Sequence, residues 1–314
     1  MKKSTLLRVS AIAVSLAFVT AACGSDSDSS VTEDTVASEV TEDTAAAAVD
    51  GVTCEGVSIA FFGALSGDAG NLGKNIRAGA DLAVSEFNTA NPDCQVGLVD
   101  FDSQGDPAQA PALAQKAIDD AGILGIVGPA FSGESKAANP LFDAAGLAII
   151  TPSATNADLN DNNWKVFHRA LAGDDKQGPA IATYIQKTLA AAKVGVIDDA
   201  SEYGKGLADI VKTTLGDAVV ASDSIDPKAA DFSAAVSKMK EAAPDAIFYG
   251  GYYAEAGKLA KQLRDAGVTA TLVFGDGVKD NGFIEAAGPA ADGSIITCTC
   301  ADGASNAEFA AAYT

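Results

Sequence analysis

The chain is poorest in the residues that most often do chemistry. Its 314 residues hold one histidine, one tryptophan, two methionines and five cysteines. A single imidazole, His168, excludes most histidine-based metal sites and histidine-centred catalytic triads. Five cysteines in a chain this long are too few for a small disulfide-stapled scaffold. Basic residues are scarce as well: 21 Lys and Arg stand against 42 Asp and Glu, a net charge of -21. That balance argues against nucleic acid, whose phosphates need cationic partners, and against direct adhesion to anionic lipid.

Enzyme signatures are also missing. Gly63, Gly67, Gly70 and Gly73 follow an apolar run, but not at the spacing of a dinucleotide fingerprint, and Gly73-Lys74 is followed by Asn75 rather than Ser or Thr. Ser132 does not sit in a G-x-S-x-G elbow. There is no H-E-x-x-H and no C-x-x-C. The reading is a binding protein rather than an enzyme, with no cofactor and no metal. His168 reads as a packed or solvated imidazole.

What is present is apolar material, 48% of the chain, enough for about two cored domains. Residues 1–22 read as a signal peptide: Lys2, Lys3 and Arg8, an apolar run, then small residues before Cys23. The run is too short for a comfortable membrane span. Cys23 after Ala21-Ala22 resembles the bacterial lipobox, which implies a lipid on Cys23 and anchoring at the outer face of the cytoplasmic membrane; Thr20 stands where that motif usually has Leu. Ordinary secretion with an incidental cysteine is the alternative. Residues 23–53 hold acids, Ser, Thr and Ala without Lys, Arg or aromatics, which predicts a self-repelling, disordered tether.

From Val57 apolar runs of strand length alternate with helical periodicity. Strands are predicted at 57–63, 96–101, 123–128, 147–151 and 164–170, and again at 193–198, 218–224, 245–251, 271–275 and 294–298. Helices are predicted between them, including 71–88, 133–145, 174–190, 203–214 and 254–266. This alternation predicts an α/β fold of two doubly wound parallel-sheet lobes. Ligands of such sheets sit beyond the carboxyl ends of the strands. Small polar residues cluster there: Ser132 opening a helix, Ser153 and Thr155 after Pro152, Tyr252, and Asp276. Taken singly they also fit a helix cap, turn chemistry, a core-edge aromatic and a turn acid. Together they offer anion donors, cation acceptors and an aromatic wall.

Nine segments in order resemble the Leu/Ile/Val-binding type of periplasmic solute-binding protein of ABC transporters. They are GALSG (63–67), FDSQGDP (101–107), IVGPAFS (126–132), ITPSAT (150–155), FHRALAGDDKQGPA (167–180), EYGKGLA (202–208), DFSAAVSKMK (231–240), YGGYYAEAGKLAKQLRDAG (249–267) and FGDGV (274–278). The resemblance implies a periplasmic-binding-protein-like type I fold, with lobe 1 at 54–172, lobe 2 at 173–298, a hinge, and a return into lobe 1 at 299–314. It implies that Ser132 and the Thr155 amide hold an amino-acid carboxylate. The Ser153 carbonyl, the Thr155 hydroxyl and Asp276 would hold the ammonium, and Tyr203 and Tyr252 would pack on the ligand. Asp276 stands where Glu is usual, and Leu72 where an aromatic often lines the pocket. The implied partners are an aliphatic amino acid and a membrane ABC permease, for a monomeric receptor; a sensor or amide- or urea-binding receptor on the same fold is the alternative. The resemblance also implies that the family continues beyond Thr314, so that the chain is a fragment and a poor binder by itself.

With Cys23 used for lipid, four cysteines remain. Cys54 and Cys94 precede neighbouring parallel strands, so a disulfide between them is predicted; its loop of about 40 residues gives roughly 3–4 kcal/mol. Cys298 and Cys300 could pair with each other if the chain bends there, and partners beyond the given sequence are the alternative.

Overall fold

The computed structural model describes residues 54–301 and 303–313. The predicted signal peptide, Cys23 and the tether lie outside the described residues. The first sheet contains β1 (Ser58–Gly63), β2 (Gly97–Asp102), β3 (Ile123–Val127), β4 (Ala148–Thr151) and β5 (Phe167–Arg169). Its order is β2-β1-β3-β4-β5, with every pairing parallel. The second contains β6 (Val194–Asp198), β7 (Val219–Ser224), β8 (Ala246–Gly250), β9 (Thr271–Phe274) and β10 (Ile295–Ile296). Its order, β10-β9-β8-β6-β7, is that of the first sheet read from the other edge, and it too is parallel.

Parallel neighbours need crossovers, and helices supply them. In lobe 1 these are α1 (Gly70–Ala90), α2 (Ala110–Asp119) and α3 (Ser132–Ala145). In lobe 2 they are α4 (Asp174–Thr183), α5 (Glu202–Leu215), α6 (Ser233–Ala242), α7 (Tyr253–Asp265) and α8 (Asn281–Ala287). A last helix, α9 (Ala307–Tyr313), lies against α1, where the Tyr313 hydroxyl donates to the Asn75 carbonyl at 2.6 Å. The chain crosses between the sheets after β5 and turns back after β10. No described helix is long and apolar enough to cross a membrane.

Local sequence explains these elements. VGVID in β6 and AIFYG in β8 are unbroken runs in which every residue is buried, as central parallel strands require. At α5 the Ser201 hydroxyl caps the helix by accepting from the Gly204 N–H at 2.9 Å. Gly128, between β3 and α3, has φ +135°, and a Cβ there would run into the Phe62 carbonyl, so only glycine fits.

Three predicted elements differ. The strand expected at 164–170 is only Phe167–Arg169, the edge strand beside β4. The helix expected through 190 is α-helical only to Thr183, then becomes a π-helical turn over Tyr184–Thr188. There the Thr183 hydroxyl donates to the Pro179 carbonyl at 2.8 Å, a side-chain bond that competes with the helical ladder. The strand expected at 294–298 has two residues, because the chain bends at Thr299–Cys300. That bend brings Cys298 and Cys300 to bonding distance, with Cα atoms 5.1 Å apart. Cys54 and Cys94 also lie at bonding distance, with Cα atoms 4.6 Å apart.

Candidate functional site

The loops that follow β1, β3 and β4 in lobe 1 face those that follow β6, β8 and β9 in lobe 2. Between them lies a cavity of about 30 Å³ lined by Leu72, Ser132, Ser153, Tyr203, Tyr252, Asp276 and Gly277. Five of the six predicted ligand residues are in that lining. The sixth, Thr155, is fully buried beside it.

In lobe 1, Ser132 is the first residue of α3 rather than its cap; the cap position belongs to Phe131, whose N–H donates to the Glu134 carboxylate at 3.0 Å. The Ser132 hydroxyl is free of that duty and accepts from the Asn156 N–H at 3.2 Å, tying the α3 N-terminus to the loop after β4. That loop is braced from behind. The Thr151 hydroxyl donates to the Pro129 carbonyl at 2.7 Å, and Arg169 donates to the Ala154 and Asn156 carbonyls at 3.3 and 2.9 Å. Ser153 is half-buried. Glu134 is a buried acid held by Ser103, and burial raises it to about 7.

In lobe 2, the Tyr203 hydroxyl donates to Asp276 Oδ1 at 2.9 Å and accepts from the Gly277 N–H at 3.0 Å. Burial raises Asp276 above the usual carboxylate range, against the opposing pull of the Tyr203 and Gln177 hydrogen bonds. The Tyr203 phenol is pushed well up, first by burial and then by the Asp276 charge. Tyr252 lies 5.2 Å from the Tyr203 ring and edge-on to Phe131 of lobe 1 at 5.4 Å.

Sequence reasoning missed Asp174, at the start of α4. It is fully buried, and neither carboxylate oxygen has a hydrogen-bond partner. The nearest hydroxyl is that of Thr155, buried beside it, and its pull toward the ionised carboxylate opposes the effect of burial. Burial, then the Asp276 charge, raises Asp174 to about 7. The sequence offers two adjacent acids, Asp174 and Asp175; the first is buried and the second exposed, a difference that only the tertiary fold decides. Gln177, Phe131 and Gly277 were likewise unread. His168 lies on β5 with its side chain exposed, away from the cavity lining.

The lobes touch around the cavity. The Lys136 ammonium pairs with Glu202 at 2.8 Å, and the Asn156 side-chain amide donates to the Glu202 carbonyl at 2.5 Å. The Asn71 side chain donates to Asp280 at 3.2 Å. Small-molecule pockets run to roughly 300–1,000 Å³, so admitting a ligand requires the lobes to part.

Two parallel α/β lobes with a polar, aromatic-walled cleft between them define a bilobed small-molecule-binding fold. The chain belongs to the periplasmic binding protein family, which it matches over residues 56–314. It is 34% identical over 246 residues to the Leu/Ile/Val-binding protein BraC3 of Rhizobium johnstonii, covering 77% of this chain and 67% of that protein. It is 32% identical over 257 residues to the leucine-specific-binding protein of Salmonella typhimurium, covering 80% and 69%. Among solved structures, the branched-chain amino acid transporter substrate-binding protein LivJ of Streptococcus pneumoniae, in complex with isoleucine, superposes with a TM-score of 0.75 at 32% identity. That match covers 82% of this chain and 76% of the other. The chain thus spans about two thirds of the length of the curated relatives it matches.

Proposed function

We propose that the chain is the extracytoplasmic substrate-binding component of an ABC importer. It captures a branched-chain or similar aliphatic amino acid between lobe 1 (54–172) and lobe 2 (173–298) and delivers it to a membrane permease without chemical change. One observation carries the ligand class: the buried, unpartnered oxygens of Asp174 and Thr155 stand beside Asp276, an acidic corner suited to an ammonium group. Ser132 at the α3 N-terminus and the Thr155 amide give the carboxylate its donors. The Ser153 carbonyl, the Thr155 hydroxyl, Asp276 and Asp174 take the ammonium, while Tyr203, Tyr252 and Leu72 face the side chain. The names of the relatives, and the isoleucine bound to one of them, support the same reading. A lipid on Cys23 holds this monomeric receptor at the membrane, and a Cys54–Cys94 disulfide suits that oxidising side.

Calorimetric titration of the protein with the amino acids, short amides, urea and sugars tests the reading. Leucine, isoleucine or valine is expected to bind most tightly, and dicarboxylates and sugars not at all. Tighter binding of urea or an amide than of any amino acid would replace it with an amide receptor.

A further inference from the structure

The Cys298–Cys300 pair touches the turn that carries Asp276 along two paths. In the first, the Lys279 ammonium, three residues after Asp276, lies 3.1 Å from the Cys300 sulfur. The second runs through Thr297, next to Cys298. Its hydroxyl donates to the Phe274 carbonyl at 3.0 Å and accepts from the Gln177 amide at 3.0 Å. Gln177 in turn favours the ionised form of Asp276. Both cysteines are exposed, whereas Cys54 and Cys94 are half-buried. A groove of about 320 Å³, lined by Asn75, Lys279, Asp280, Asn281, Ile284 and Ile296, reaches the same lysine. The two pairs thus differ in access and in charge: one has a cation on a sulfur and a groove beside it.

We propose that Cys298–Cys300 is a thiol-exchange site for low-molecular-weight thiols, and that opening it loosens the Asp276 turn. The thiolate of the incoming molecule attacks Cys298 Sγ. The sulfur–sulfur bond breaks and its electron pair goes to Cys300 Sγ, which leaves as a thiolate beside the Lys279 ammonium; a neighbouring cation makes a thiolate the better leaving group. A second thiol attacks the outer sulfur of the mixed disulfide and frees Cys298. Two external thiols are oxidised to their disulfide as the protein pair is reduced to two thiols. The effect on ligand capture rests on the reading of Asp276 as the ammonium acid, but the exchange chemistry does not.

The test equilibrates the protein in graded ratios of reduced to oxidised glutathione, alkylates free thiols and maps them by mass spectrometry. Cys298 and Cys300 are expected to become free at about a tenfold lower ratio than Cys54 and Cys94, with the glutathione adduct on Cys298. Lys279→Gln should slow opening severalfold. Hydrogen exchange over residues 274–280 should quicken both on reduction and in the Cys298→Ser, Cys300→Ser double variant. Simultaneous opening of both pairs, an adduct on Cys300, or unchanged exchange over 274–280 would overturn the proposal. A parallel isoleucine titration separates the two readings: an oxidised protein that ignores isoleucine while the exchange results hold counts against the amino-acid reading alone.

Discussion

In the lobe 2 sheet every residue of β6 and β8 is buried, and apolar clusters cover both faces, one built with α6, α7 and α8 and the other with α4 and α5. The lobe 1 sheet carries its main cluster on the face of α2 and α3, around Phe62, Ile126, Phe142 and Ile149. Burial alternates along β4, and in this chain, which spans about two thirds of its relatives' length, Leu124 of β3 and Ile150 of β4 are 61% and 44% exposed. α1 buries only Gly70 and Gly73 among its 21 residues. Both lobes present three site loops, and different local contacts hold them. Lobe 2 fixes Tyr203 and Asp276 on loops backed by a packed core. Lobe 1 fixes Ser132, Ser153 and Thr155 through bonds between side chain and backbone: Thr151 and Arg169 donate to carbonyls, and the Asn156 N–H donates to the Ser132 hydroxyl.

The contrast can be broken most directly in the cores. Phe248→Ala, on β8, should cost about 3–5 kcal/mol by cavity formation, whereas Leu124→Ser on β3 should stay within about 0.5 kcal/mol. Urea unfolding measures both, and equal costs would mean that the lobes are equally enclosed. Next in size is the division of binding energy. Asp276→Ala removes one of the two carboxylates at the ammonium and should weaken amino-acid binding by about 3 kcal/mol, over a hundredfold, while Asp276→Glu should be tolerated. Ser132→Ala, which removes one neutral hydroxyl from lobe 1, should cost about 1 kcal/mol. Calorimetry with isoleucine compares them, and wild-type affinity in Asp276→Ala would remove the acid from the site.

Titration distinguishes the lobes as well. Burial raises Asp174 and Glu255 to about 7 and Asp199 to about 6 in lobe 2, against Glu134 alone at about 7 in lobe 1. Between the usual carboxylate pKa near 4 and these raised values, the folded chain holds protons that the unfolded chain has released. Stability therefore falls as pH rises through that window and levels off above about 7. The melting temperature of the ligand-free protein should drop by a few degrees between pH 5 and pH 8, and Glu255→Gln should flatten the slope. An unchanged slope in that variant would count against a lobe 2 origin. The smallest effect concerns the seam between lobes. A Cβ on Gly206 of α5 would sit 2.6 Å from the Asn156 amide that donates to Glu202. Gly206→Ala should therefore weaken binding by about 1 kcal/mol, roughly fivefold, while helix propensity favours lobe 2 itself. Loss of stability together with unchanged affinity would refute that reading.

The strands were legible because a buried parallel strand writes itself as an apolar run stopped by Gly or a polar residue, as VSIAFFG and KVGVID do. The cleft was legible in outline: Ser132, Ser153, Tyr203, Tyr252 and Asp276 converge on one cavity. What the sequence hid depends on where neighbours fall. Asp174 and Asp175 have the same chemistry in one dimension and opposite burial in three. Phe131 occupies the cap position that Ser132 suggested, because a capping-type bond from Glu134 reaches its N–H. The end of α4 and the bend at Thr299–Cys300 follow from local backbone competition that periodicity does not register.

The shared strand order makes the loops after β3 and β8 equivalent, and likewise those after β4 and β9; Phe131 of the first pair meets Tyr252 at 5.4 Å. The proposed roles are divided unevenly among these stations. The Ser132 station of lobe 1 offers hydrogens to the anion, the loop carrying Ser153 and Thr155 offers an amide hydrogen to the anion and oxygens to the cation, and the Asp276 station of lobe 2 offers oxygens to the cation. A closing pair of jaws with its poles divided in this way works as a gauge of molecular dipole. A plain anion leaves Asp276 without a counterpart, and a plain cation leaves the donors at Ser132 without one. A zwitterion lying across the gap engages both, with its orientation set before its side chain meets Leu72 and Tyr252.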